Sequence, residues 1–358
     1  MTKIITSGFK IALFATLFTL PIVAQAVKRT PFDVTNYVMD VSLSPAERML
    51  KATVDVAFTP LEDTRSVSFE LNGSLKIDSI TRQDKTVVLV PTTPAATGKA
   101  APAKPAPVAI PSLTYVQDQT NSSDLGPHVR IDLGDNVTKG TNVILRFKYS
   151  GVLEGPAGGP LLTKRLAAVT ENSGYLMYAA RWFPFHDYAA DPATSDISIS
   201  LPVGLQLVGF SDTPVSNIGG KYRFVQTTPA LLGNFAYGKF APKTLRIGDQ
   251  ELQFFAKPGS ENLIASYGET LGKSLDYYTK RFGPADNGKK LTVVQIDDES
   301  LDFYSARGML FIATRPFEEA RDVTFARIQR EAATQWWGLT VGLKSFDEAW
   351  LSQGLAEY

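Results

Sequence analysis

The chain has 358 residues with 36 basic and 36 acidic side chains, so it carries no formal net charge. That balance gives no general attraction to nucleic acid or anionic membranes, and an apolar share of 44% is ample for packed cores, which excludes a disordered protein. The length predicts two domains; cysteine is absent, which removes disulfides and thiolate ligands, and only two histidines exist, His128 and His186.

Residues 1–26 read as a secretory signal peptide. Lys3 and Lys10 supply a positive start, Ile11 to Val23 is an apolar run, and Ala24-Gln25-Ala26 is a small-x-small cleavage site. A membrane anchor is the competing reading, but this run rises only about 20 Å as a helix, short of a hydrocarbon core of about 30 Å. The expectation is an exported chain beginning at Val27, periplasmic in a bacterium or extracellular, with no transmembrane span after cleavage.

Residues 27–245 read as an all-β, antiparallel domain. Tyr37 to Leu43, Ala52 to Phe58 and Ser66 to Leu71 alternate apolar and polar residues, as half-buried strands do. Val129 to Leu133 and Val143 to Tyr149 flank the turn-rich Gly134-Asp135-Asn136. Further strands are predicted at Ile197 to Leu201, Leu205 to Phe210, Tyr222 to Gln226 and Asn234 to Tyr237. Residues 91–112 interrupt the pattern with proline and alanine lacking any period, which supply neither ladder donors nor a core; this stretch reads as a disordered surface loop.

Residues 246–358 change character. Leu263, Ile264, Tyr267, Leu271, Leu275, Tyr278 and Phe282 fall at helical spacing and Gly283-Pro284 stops the run. Leu291 to Ile296 predicts a strand, Pro316 to Trp337 a second long helix, and Asp347 to Tyr358 the start of a third. The whole reads as an α+β protein, with an all-β domain followed by an α-rich one holding a small sheet.

The second long helix carries the informative segment. Arg330-Glu331-Ala332-Ala333-Thr334 is followed by Gln335-Trp336-Trp337-Gly338, and later by Trp350-Leu351-Ser352-Gln353-Gly354. These residues resemble the M1 family of zinc aminopeptidases, the aminopeptidase N-like gluzincins, whose pattern is His-Glu-x-x-His and a Glu eighteen residues further on. Gln335 to Gly338 is similar to that family's Gln-Trp-Phe-Gly, and Trp350 to Gly354 to its Trp-Leu-Asn-Glu-Gly. Trp182-Phe183-Pro184 through Pro202, and Thr228-Pro229 through Gly238, look like parts of its N-terminal β-domain. The resemblance implies a saddle-like β-domain before a thermolysin-like catalytic domain, here incomplete at its C-terminal end. It also implies a chain lacking the later tyrosine with which the family stabilises the oxyanion.

In that family two His at i and i+4 share one helix face and hold zinc with the distant Glu, while the motif Glu takes a proton from metal-bound water. By the same alignment the zinc-ligand positions here are Arg330, Thr334 and Gln353, and only the general-base position, Glu331, keeps its residue. A guanidinium accepts nothing, a hydroxyl is a weak neutral donor and an amide oxygen is neutral. A structural zinc site is worth roughly 10–16 kcal/mol, so such losses go beyond tuning. No zinc cofactor is therefore expected, and Glu331 is a vestigial base. His128 and His186 lie in the β-domain and form no ligand-like pair.

The family's substrate-amine Glu falls at Ser305, and Arg307 would repel an ammonium if it entered the cleft. The acidic run Asp297-Asp298-Glu299 reads as a solvated loop, and Trp336, Trp337 and Trp350 as core anchors. Arg330 either fills the vacated metal position with Glu357 as partner or reaches solvent. Three functional readings follow: a secreted pseudoenzyme whose cleft binds peptides or a protein partner, a hydrolase with residual or altered chemistry, and an incomplete gene product without function.

Overall fold

The computed structural model describes residues 31–84, 110–118, 128–153, 164–186, 191–298, 300–344 and 348–358. The signal segment and nearly all of the Pro/Ala-rich stretch lie outside these residues. The protein is α+β and dominated by sheets.

The largest sheet has seven strands, in the order Ser216–Ile218, Lys221–Ala230, Ala193–Ser200, Phe32–Ser44, Met49–Pro60, Val143–Val152 and Lys76–Arg82. Its neighbours are antiparallel except Phe32–Ser44 with Ala193–Ser200, which run parallel. Alternation along Phe32–Ser44, interrupted once by a register shift between Val34 and Asn36, buries one face and wets the other, which fixes the register of Tyr37 to Ser44. A three-stranded and a four-stranded sheet complete this region. Between them lies an aromatic core in which Trp182, Phe183, Phe224 and Phe235 meet edge to face.

One expectation here needs correction. His128–Val137 runs straight through Gly134-Asp135-Asn136, and the chain turns afterwards, at Lys139 and Gly140. The strand then joins a different sheet from Val143–Val152, so the two do not pair with each other. Gly134 takes a left-handed φ of 86° inside the strand, a local irregularity rather than a turn. Trp182 and Phe183 follow a single 3-10 turn at Ala179–Arg181, and their rings are buried in the core.

A five-stranded sheet follows, in the order Ala241–Ile247, Gln250–Ala256, Lys290–Ile296, Met309–Ala313 and Phe303–Ala306. Its first strand spans position 245/246, and by hydrogen bonding it belongs with the second half of the chain. Helix α1 (Ile264–Phe282) packs on this sheet. Gly272 permits the approach, because a Cβ there would come within 2.5 Å of Ile247. The hairpin from Phe303–Ala306 to Met309–Ala313 turns on Arg307 and Gly308, with Gly308 at φ 65°.

The long helix expected at 316–337 is two helices, α2 (Thr314–Glu318) and α3 (Asp322–Thr334). Arg321 is extended, and its backbone N–H donates to Thr324 Oγ1 at 3.2 Å, so a new helix start is capped where apolar periodicity alone reads on. Helix α4 (Ala349–Glu357) is the final element.

Candidate functional site

Helix α3, the edge strand Phe303–Ala306, α4 and the β-region segments around Met177–Ala179 and Leu231–Asn234 enclose a cavity of about 430 Å³. Arg330, Glu331, Thr334 and Gln353 all line it, as does Ser305. The fold thus brings together all five site residues that the sequence points to.

Glu331 is buried, with 7% exposure. Its Oε2 accepts a hydrogen bond from Ser305 Oγ at 2.6 Å, and its Oε1 lies 3.3 Å from Arg330 Nη1. Burial pushes its carboxyl above the ordinary range, against the opposing pull of Ser305, Arg330 and Arg327. Arg330 Nε lies 2.8 Å from Glu357 Oε2, so the guanidinium stands between carboxylates of α3 and α4. Thr334 turns its hydroxyl back along the helix and donates to the Arg330 carbonyl at 3.0 Å. Gln353 is exposed on the cavity's outer wall.

Gln335 holds this arrangement from behind. Its side-chain amide donates to the Ala306 carbonyl at 3.2 Å and accepts from the Gly308 N–H at 3.2 Å. It therefore fastens α3 to the hairpin that carries Ser305. Trp336 is buried and donates to the Gly283 carbonyl at 2.9 Å, an anchor as expected. Trp337 is half-buried, edge-on to Phe282, and faces the cavity. Trp350 contradicts the expectation of a core anchor, since it is 73% exposed. The spacing of α4 directs its ring away from α3, and Ala356 is the buried residue of that helix.

Arg307 lines the cavity but is nearly fully buried; its Nη1 is 3.3 Å from Asp212 Oδ1 and its guanidinium lies 4.9 Å from the Phe210 ring centre. Neither partner is visible by spacing, because both come from the distant β-region. The reading of the acidic run as a solvated loop also fails at Asp298, which is buried. Its Oδ1 accepts from the Ser300 N–H and hydroxyl, both at 2.6 Å, and from the Leu301 N–H at 3.1 Å. Burial opposes charge at Asp297, yet Lys257, Ser173 and Thr314 together hold its carboxyl below the ordinary range. Glu299 lies outside the described residues.

The two histidines serve the β-region. His186 Nδ1 is 2.7 Å from Asp191 Oδ2 and its ring stacks on Phe32, while His128 is buried in a strand. Among the described residues, no three His, Asp or Glu side chains gather as a metal-holding group.

No family model matches the sequence, and no curated protein matches it. Solved structures do. An M1 zinc metallopeptidase from Deinococcus radiodurans superposes with a TM-score of 0.65 at 17% identity, over 92% of this chain and 70% of that one. This chain has the fold of the M1 zinc metallopeptidases. A two-domain M1 zinc metallopeptidase variant bound to L-arginine gives 0.65 at 18% identity, over 92% and 70% of the two chains. A Deinococcus radiodurans variant bound to a Tyr-Ser-Ala substrate gives 0.64 at 16% identity, over 91% and 69%. At such identity the likeness speaks for the fold, and the chemistry rests on the side chains above.

Proposed function

We propose that this chain is an aminopeptidase-like relative of the M1 metallopeptidases that does not act as a zinc peptidase and keeps its cleft to bind peptides or a protein partner. The observation that carries the reading is Arg330, a permanent cation on the cavity wall between Glu331 and Glu357. Zinc does not fit the donors at hand. Arg330 has no lone pair to give, Thr334 offers only a neutral hydroxyl turned back toward the Arg330 carbonyl, and Gln353 offers only an exposed neutral amide. On this reading Arg330, Thr334 and Gln353 are degenerate ligand positions, and Ser305 is a degenerate amine position.

Glu331 then has no metal-bound water to deprotonate, and its hydrogen bond from Ser305 joins α3 to the edge strand. The signal-like residues 1–26 support action outside the cytoplasm. No helix among the described residues is long and apolar enough to cross a membrane. Aminoacyl anilides with and without added zinc test the proposal: no zinc-dependent release is expected. Release that a chelator stops and zinc restores would overturn it.

A second reading, a hydrolase with altered chemistry, draws on one contact. The Ser305 hydroxyl sits 2.6 Å from a buried carboxylate whose pKa burial raises, an arrangement suited to accepting a hydroxyl proton. Ester turnover that persists in chelator and disappears in Glu331→Gln would favour it over the binding reading.

A further inference from the structure

The charged residues lining this cavity are Arg307, Arg330 and Glu331, two cations against one carboxylate. Asp212 and Glu357, the acids beside the two arginines, lie outside that lining. Much of the remaining wall is apolar, with Met177, Phe185, Leu231 and Trp337 among its members. We infer that the cleft takes a ligand headed by a carboxylate next to an apolar group, with the carboxylate on Arg330 and the apolar group against Trp337 and Leu231. This inference rests on the metal-free reading of the same cleft.

The chemistry of Arg330 points this way. A guanidinium has five N–H donors in a planar fork that matches a carboxylate. Here Nη1 donates to Glu331, Nε lies beside Glu357 without a hydrogen bond, and the side chain keeps 31% of its surface exposed, so donors remain for a ligand. Glu357 is 74% exposed, and water weakens its hold on the cation. The Arg330 guanidinium beside Glu331 offsets its negative charge from within the protein, which lessens its repulsion of an incoming anion. Arg307 adds positive potential from a fixed, buried position over Phe210. An ammonium head would instead meet two guanidinium groups. A cavity near 430 Å³ has the size of a small-ligand site, which accommodates one aromatic or branched acid.

The carboxylate has two potential sources, a free organic acid or the C-terminus of a peptide. Titration calorimetry on the full chain at neutral pH, with N-acetylphenylalanine, its C-terminal amide and phenylacetate, separates them. N-acetylphenylalanine should bind about tenfold more tightly than the amide, a difference of about 1.4 kcal/mol. Phenylacetate binding as tightly as the acylated amino acid would assign the site to free acids, and weaker binding would assign it to peptide ends; both keep the carboxylate head. Arg330→Gln should erase the preference for acid over amide. Glu357→Gln, at the exposed end of α4, should widen it several-fold and serves as the test should Arg330→Gln fail to fold. Equal binding of acid and amide by the native chain, or an unchanged preference in Glu357→Gln, would overturn the inference. Acid indifference in a zinc-free protein would sink this inference alone, whereas zinc-restored peptide hydrolysis would sink the metal-free reading itself.

Discussion

The cleft has two walls of unlike construction. Behind the β-side lining, Trp182 and Phe183 are wholly buried, Trp182 donates to the Gly233 carbonyl at 2.9 Å, and Tyr149 donates to the Trp182 carbonyl at 2.8 Å. On the helical side α3 and α4 meet through Arg330 and Glu357, and the α4 tryptophan faces outward. The first wall is held by dry aromatic packing, and the second by an ion pair whose Glu357 end water reaches. Residue changes on the second wall therefore alter chemistry at small cost to the fold, which is how a peptidase-like scaffold tolerates an arginine beside its cleft.

Removing packing from the β wall should have the largest effect. Trp182→Ala leaves a cavity and an unpaired Gly233 carbonyl, with an expected loss of about 3–5 kcal/mol in urea unfolding. A loss below about 1 kcal/mol would erase the contrast between the walls. Next comes the contact at the cleft floor. Ser305→Ala removes a hydrogen bond to a buried carboxylate and should cost about 1.5–3 kcal/mol at neutral pH.

The sign of the pH dependence sharpens the role of Glu331. Burial raises its folded-state pKa above the ordinary 4.5, so the folded state holds this proton more firmly than the unfolded state. The resulting stability is fully present below about 4.5 and is lost as pH rises through the folded value. Glu331→Gln should therefore gain on the native protein as pH climbs from acid to neutral, read from urea midpoints at several pH values. The opposite trend would mean that Arg330 and Ser305 outweigh burial.

The helical wall should respond weakly. A double-mutant cycle of Arg330→Ala with Glu357→Ala should return a coupling of about 0.2–1 kcal/mol that shrinks with salt, because Glu357 is largely exposed. Trp350→Ser should change stability by no more than about 0.5 kcal/mol, since its ring contributes little burial. A large loss there would show that α4 docks through its tryptophan.

Alternation made the strands at Phe32–Ser44 and Met49–Pro60 legible, and period and a Gly-Pro stop did so for α1. The pair Ala241–Ile247 and Gln250–Ala256 escaped although Gly248-Asp249 is a two-residue hairpin signal, because the β reading stopped at residue 245 and so divided the hairpin. At the site, i and i+4 spacing was enough to put Arg330 and Thr334 on one face of α3. Ser305 with Glu331, Gln335 with the hairpin, and Arg307 with Asp212 were not legible, since each joins elements that only the folded chain brings together. Trp350 misled for the opposite reason: a large apolar residue predicts burial only on average.

The central claim is that Arg330, Thr334 and Gln353 ended metal chemistry in this cleft. Elemental analysis of the purified chain, dialysed first against trace zinc and then against zinc-free buffer, addresses it most directly. The account predicts no stoichiometric zinc in the native protein. A full equivalent of zinc that survives dialysis and is lost in Glu331→Gln or Gln353→Ala would contradict it.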